Sequence, residues 1–226
     1  MNTEPNLQLM FYDDSDVTSR LRQLQGLKEL PANWTALDVN VPLGLTHSWF
    51  VGGALARAMN HIDLCQGHRV WYRALEWLAE TKPEQKITEI QYWGHGSPGR
   101  VWMDGEALTT DVFDGPLKAL LAKIKSRLTP EAVIWFRTCA TFGAERGRAF
   151  ARRWAQEMGC RVAAHTHNIG LFQSGLHSLR PGQAPGWSAS EGIRDGTTAE
   201  PLKMKSSGVF VANTIPCLAM DLPREW

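Results

Sequence analysis

Two strand-like runs separated by one helix constrain this chain more than any other feature. Ile87 to Trp93 is an apolar run that stops at Gly94-His95-Gly96. Ala132 to Phe136 is a continuous apolar run that stops at Arg137-Thr138-Cys139, the pattern of a strand buried on both faces of a parallel sheet. Between them Leu117, Leu120, Leu121, Ile124 and Leu128 fall on one helical face, and Thr129-Pro130 ends it. Strand, crossover helix and strand make a βαβ unit, which implies an α/β fold and sets the two strands side by side.

The rest of the chain extends that pattern. Leu7 to Tyr12 reads as a first strand ending at Asp13-Asp14, Val17 to Leu27 as a helix, and Ala36 to Val41 as a second strand. Trp49 to Glu80 holds one or two helices, broken near Gln66-Gly67. Arg100 to Leu108 reads as a hairpin with Asp104-Gly105 at its turn. Ala144 to Met158 is a helix with Phe150, Ala151, Trp154 and Met158 on one face and Gly159 at the position after its C-terminus. Arg161 to His165 is a further strand, Asn168 to Lys205 reads as long loops, and Val209 to Leu218 as a last strand. The expectation is one three-layer α/β domain over 1–226 with a mostly parallel central sheet and a loop-rich part from about 168.

Composition removes several classes of function. Lys and Arg number 24 against 23 Asp and Glu, a net charge of +1, so no global field favours nucleic acid or a membrane surface. Met1 to Gln8 is polar and lacks the apolar stretch of a signal peptide, and no run approaches the roughly 18 apolar residues of a membrane span. Cys65, Cys139, Cys160 and Cys217 are widely spaced, which fits free thiols in a reducing cytoplasm.

The chemistry-bearing residues sit where the two runs stop. Ligands of parallel α/β sheets bind at the carboxyl ends of the strands, and both His95 and Cys139 fall there. Cys139 also precedes a helix, whose N-terminal amides and dipole favour a thiolate, and a neighbouring imidazole can take the thiol proton. The amides of Gly96 and Cys139 are candidate oxyanion donors.

A strand followed by His-Gly, then a strand followed by Cys, resembles the caspase-like (clan CD) cysteine peptidases, which include caspases, metacaspases, gingipain, clostripain, separase and the bacterial CHAT domains. Cys139-Ala140-Thr141-Phe142-Gly143, a helix, and then Gly159 leading into a strand is closest to the CHAT pattern. The resemblance covers about Ile87 to Gly170. It implies a caspase-like fold, His95 as base, Cys139 as nucleophile, Gly96 as oxyanion donor, and hydrolysis of a protein or peptide substrate with no cofactor and no metal. An activating protein partner is an open possibility. It also implies that Arg137, two residues before the cysteine, lines the pocket for the substrate side chain, reached as well by Asp13 and Asp14. Arg137 there favours an acidic side chain, the aspartates a basic one, and an ion pair between them would leave neither free. Arg-Thr-Cys matches no single peptidase subgroup, so an inactive protein-interaction relative and another Cys-dependent amidohydrolase stand as alternatives.

Blander readings apply to the remaining candidates. A cysteine at a strand end is commonly a small buried hydrophobe, and the pairing with His-Gly is what turns Cys139 toward catalysis. His165 and His167 read as a polar strand end near the cleft, since no further metal ligands stand at fitting spacing. His61 and His68 read as a solvated helix flank, and Arg146, Arg148, Arg152 and Arg153 as a solvated helix face. Ser97 has no G-x-S-x-G elbow around it.

Overall fold

A computed structural model describes residues 6–15 and 45–223. The expected helix at 17–27 and strand at 36–41 lie outside the described residues. The architecture is mixed α/β around a six-stranded, mostly parallel sheet. Its strands are β1 (Leu7–Asp13), β2 (Leu64–His68), β3 (Ile87–Trp93), β7 (Leu128–Arg137), β8 (Arg161–His165) and β10 (Leu176–Leu179), in the order β10-β8-β7-β3-β1-β2. Only β10 runs antiparallel to its neighbour. The helices are α1 (Leu45–Ala58), α2 (Trp71–Glu80), α3 (Lys118–Arg127) and α4 (Ala144–Met158).

The two faces of the sheet are covered differently. Phe11, Ile90, Tyr92, Ile134, Phe136 and Val162 meet the buried stripes of α2, α3 and α4, among them Leu75, Leu78, Leu121, Ile124, Phe150 and Trp154. Burial of each such Leu, Ile or Phe contributes about 1.5–3 kcal/mol. On the other face Met10, Tyr12 and Trp93 meet Ala56 of α1, Ile62 and Met220, while Trp135, Ala163 and Leu176 meet Ile215. That second layer is therefore part helix and part chain from the C-terminal region.

At the end of the sheet away from the strands' carboxyl ends, Arg127 is buried and donates to the carbonyls of Leu78, Ala79, Thr81, Lys82 and Gln85. Several of these are carbonyls that the end of α2 leaves without helical partners. At its other end β3 runs through Gly94 into an antiparallel meander, β4 (His95–Ser97), β5 (Arg100–Met103) and β6 (Glu106–Leu108). Asp104 (φ 45°) and Gly105 (φ 80°) form the β5–β6 turn, both left-handed as a two-residue hairpin of the primed type needs. The Tyr92 hydroxyl donates to the Trp102 carbonyl and ties this meander to the sheet.

Four expectations change. The 49–80 region is not two helices alone, because the edge strand β2 separates them; its Leu-Cys-Gln-Gly-His sequence carries no strand periodicity of its own and is ordered by pairing with β1. His61 and His68 therefore do not share a helix flank: His61 follows α1, and His68 is buried at the end of β2 against Trp77. The long loop contains β9 (Phe172–Gln173), the sheet strand β10, and a hairpin of β11 (Ile193–Gly196) with β12 (Pro201–Met204). In the last region only β13 (Ile215–Pro216) is strand, paired with β9, while Val209 and Phe210 are exposed. Among the described residues no helix is long and apolar enough to cross a membrane.

Candidate active site

Parallel pairing sets the geometry. Trp93 lies opposite Arg137 in the β3–β7 register, so His95 and Cys139, each two residues further on, leave adjacent strands at equivalent positions. The residue after His95, Gly96, packs closely on the loop that carries Cys139. A Cβ added to Gly96 would lie 2.5 Å from Thr141 Oγ1, 2.6 Å from the Cys139 carbonyl oxygen and 2.8 Å from Thr138 Cβ. Gly99 N–H donates to the Thr141 carbonyl at 3.0 Å, and Thr138 and Thr141 hydroxyls lie 2.6 Å apart. The meander carrying His95 is thus locked on the loop carrying Cys139. Trp102 Nε1 donates to Ser97 Oγ at 3.2 Å, which gives Ser97 a place inside the meander.

His95 is half-buried, with its ring 5.2 Å from that of Trp49, edge to face. With Gly96, Trp102, Ser15, Asp13 and Asp104 it lines a cleft of about 550 Å³. Asp13 is 1% exposed and accepts from Ser15 N at 3.0 Å and more weakly from Asp104 N at 3.4 Å. Asp14 is half-buried and its N–H donates to the His68 carbonyl at 2.9 Å. Burial raises the Asp14 carboxyl pKa, with Arg69 opposing and Asp13 adding to the rise.

Cys139 is half-buried, and its Sγ donates to the Ile169 carbonyl at 3.8 Å. Burial pushes the thiol pKa up. The next residue, Ala140, has φ 50°, a left-handed conformation that costs a non-glycine residue about 1–2 kcal/mol. The end of β8 and the chain just beyond it hold it there: Ala140 N–H donates to the His167 carbonyl at 2.9 Å and Phe142 N–H to the His165 carbonyl at 3.0 Å. Trp187 stacks on Phe142 with centroids 5.2 Å apart and donates from Nε1 to its carbonyl at 2.9 Å. Behind them Glu191 Oε1 accepts from Thr166 Oγ1 at 2.8 Å and sits 2.7 Å from His177 Nε2.

Arg137 occupies a different place from the substrate pocket the resemblance implies. It is 2% exposed, sandwiched between the rings of Trp93 and Trp135 at 4.3 and 4.4 Å. Its donors go to Gln173 Oε1 at 2.8 and 3.2 Å, the Cys217 carbonyl at 2.7 Å and the Ala219 carbonyl at 2.8 Å. Burial brings its pKa down to about 9, so it stays charged at neutral pH. Its guanidinium bonds to β9 and the chain after β13, away from Asp13 and Asp14, which sit across β3 at the end of β1. Long-range partners of this kind, Gln173, Cys217 and Ala219, leave no local sequence signal. Among the described residues no group of three or more His, Cys, Asp or Glu is placed to hold a metal.

Residues 64–177 match the family described as a domain of unknown function (DUF4347). That is half of the chain. The protein belongs to the DUF4347 family. No curated protein matches it. The DUF4347 segment runs from β2 to β10 and so holds His95, Gly96, Arg137 and Cys139, while Asp13, Asp14 and the carbonyls that bind Arg137 from 217 and 219 lie outside it.

Histidine burial beside this site makes the fold acid-sensitive. His165 is fully buried, and burial with the charge of Arg137 drops its pKa from 6.5 to about 3. Burial holds His68 at about 4 and lowers His167 as well. The unfolded chain protonates the His165 and His68 rings near pH 6.5 and the folded chain only near 3 and 4, so each of these two costs about 1.4 kcal/mol per pH unit as the pH falls below 6.5. Glu89 opposes them: burial raises its carboxyl to about 7, so the folded protein gains its proton first, down to the unfolded value near 4.3. The balance favours the histidines. Unfolding free energy from urea titrations is expected to fall by about 1.4 kcal/mol or more for each pH unit between 6.5 and 4.5; a flat or rising profile contradicts this.

Proposed function

We infer that this DUF4347 protein is a caspase-like cysteine peptidase built on a His95–Cys139 dyad. One observation carries the reading: His95-Gly96 and Cys139 leave neighbouring parallel strands in equivalent register, with Gly96 packed on the Cys139 carbonyl. In the reaction the Cys139 thiol gives its proton to His95 as sulfur bonds to the peptide carbonyl carbon. The Gly96 and Cys139 amides hold the oxyanion. His95 then protonates the leaving amine, and water cleaves the thioester to restore the thiol.

The substrate is a protein or peptide. Asp13 and Asp104 line the open cleft beside His95 while Arg137 is sealed behind it, which favours a basic substrate side chain over an acidic one. Four free thiols suit a reducing compartment, and the reading is of a cytoplasmic protein. The second reading is an inactive interaction domain; the half-buried thiol with its raised pKa favours it.

Alkylation by iodoacetamide at neutral pH, read site by site by mass spectrometry, separates the two. Burial pushes Cys65 to about 11 and Cys160 to about 12, so both react slowly. A peptidase requires Cys139 to react faster than either, and its rate to drop about tenfold or more in His95→Ala with Cys217 unaffected. A Cys139 rate indifferent to His95 leaves the interaction domain.

A further inference from the structure

We propose that residues 168–173 and 215–220 form a latch in cis that caps Cys139 and must open before the thiol reacts. The proposal rests on the dyad reading for its meaning and on separate contacts for its support. The cap is the Ile169 carbonyl, which accepts from Cys139 Sγ. Its loop continues into β9, a strand of two residues whose partner is β13. Cys217 N–H donates to the Leu171 carbonyl at 2.9 Å, so the stretch after β13 holds the cap down.

Arg137 bolts this assembly to the strand that carries Cys139. Its oxygen acceptors, Gln173 Oε1 and the carbonyls of Cys217 and Ala219, all belong to the cap loop or the strap. Two buried side chains seat the strap, Ile215 at 6% exposure and Met220 at 5%, each in a small cluster on the second sheet face, with the half-buried Ala219 packed against the Ile215 cluster. The main core, under α2, α3 and α4, does not include them. The latch can therefore release while the core stays closed, as local openings of low free energy do. Released, the cap no longer accepts the Cys139 proton, and the thiol gains the solvation that favours its charged form.

The test is the alkylation rate of Cys139 in Ile215→Ala, Met220→Ala and the double variant. Release of the latch raises the Cys139 rate about tenfold or more, while Cys160, buried between α4 and β8, keeps its rate and reports that the core is intact. An unchanged Cys139 rate in a variant whose Cys217 amide exchanges faster overturns the latch. If a variant unfolds, Cys160 labels too, and the unaltered protein decides. There, Cys139 alkylation and Cys217 amide exchange must give the same opening constant within about threefold, and a disagreement beyond about tenfold overturns the proposal. Dependence on His95 is read separately, so a latch over a non-catalytic thiol and a catalytic thiol without a latch give different results.

Discussion

Arg137→Met should lower the unfolding free energy by about 3 kcal/mol or more. The loss is one-sided: Gln173 Oε1 and the Cys217 and Ala219 carbonyls keep their positions and lose their donor, and a buried acceptor left unsatisfied costs about 1–3 kcal/mol. Relief of the guanidinium's own desolvation offsets part of this, but the uncharged methionine also forfeits the cation–π contacts with both Trp93 and Trp135. Arg137→Lys restores the charge without the fork, so it should recover less than half of the loss. An arginine placed for substrate would behave in the opposite way, with unfolding nearly unchanged in urea and the defect confined to turnover. Near-native stability of Arg137→Met would return Arg137 to the substrate pocket.

Gly96→Ala is the second large effect. The new methyl would meet a hydroxyl, a side-chain carbon and, at 2.6 Å, the backbone oxygen of Cys139. The oxygen cannot retreat alone, because Ala140 and Phe142 on one side and Gly99 on the other pin the loop through backbone hydrogen bonds. Overpacking of this kind costs about 1–3 kcal/mol, and relief by separating the meander from the Cys139 loop would abolish the His95-dependent alkylation of Cys139. Gly186→Ala, where a methyl meets nothing within 4 Å, is the matched control and should be silent in both urea melts and alkylation. Native stability and native alkylation in Gly96→Ala would mean that the two loops are not in contact.

The parts legible in the sequence were those with two buried faces or a demanding local geometry. β3, β7 and β8 announce themselves because layers on both sides remove polar alternation, and Gly159 marks the end of α4 because its φ of 68° suits glycine. β2 and β10 stayed hidden, since edge strands of the sheet carry mixed exposure and draw their order from a neighbour. That His95 and Cys139 follow neighbouring strands was legible from where the two apolar runs stop. That His95 itself begins a strand of the meander, that Asp13 shares its cleft, and that Arg137 faces the chain near 217–220 all depend on partners far along the sequence.

Arg127 has a consequence for how this fold can change. One side chain fastens the exit of α2 to the root of β7, so two successive crossovers are welded at the floor of the sheet, remote from His95 and Cys139. Loops at the opposite rim can then be lengthened, shortened or exchanged without loosening the joint that keeps the strands aligned. Relatives sharing this floor would be expected to differ in what they grip while retaining the frame that presents it.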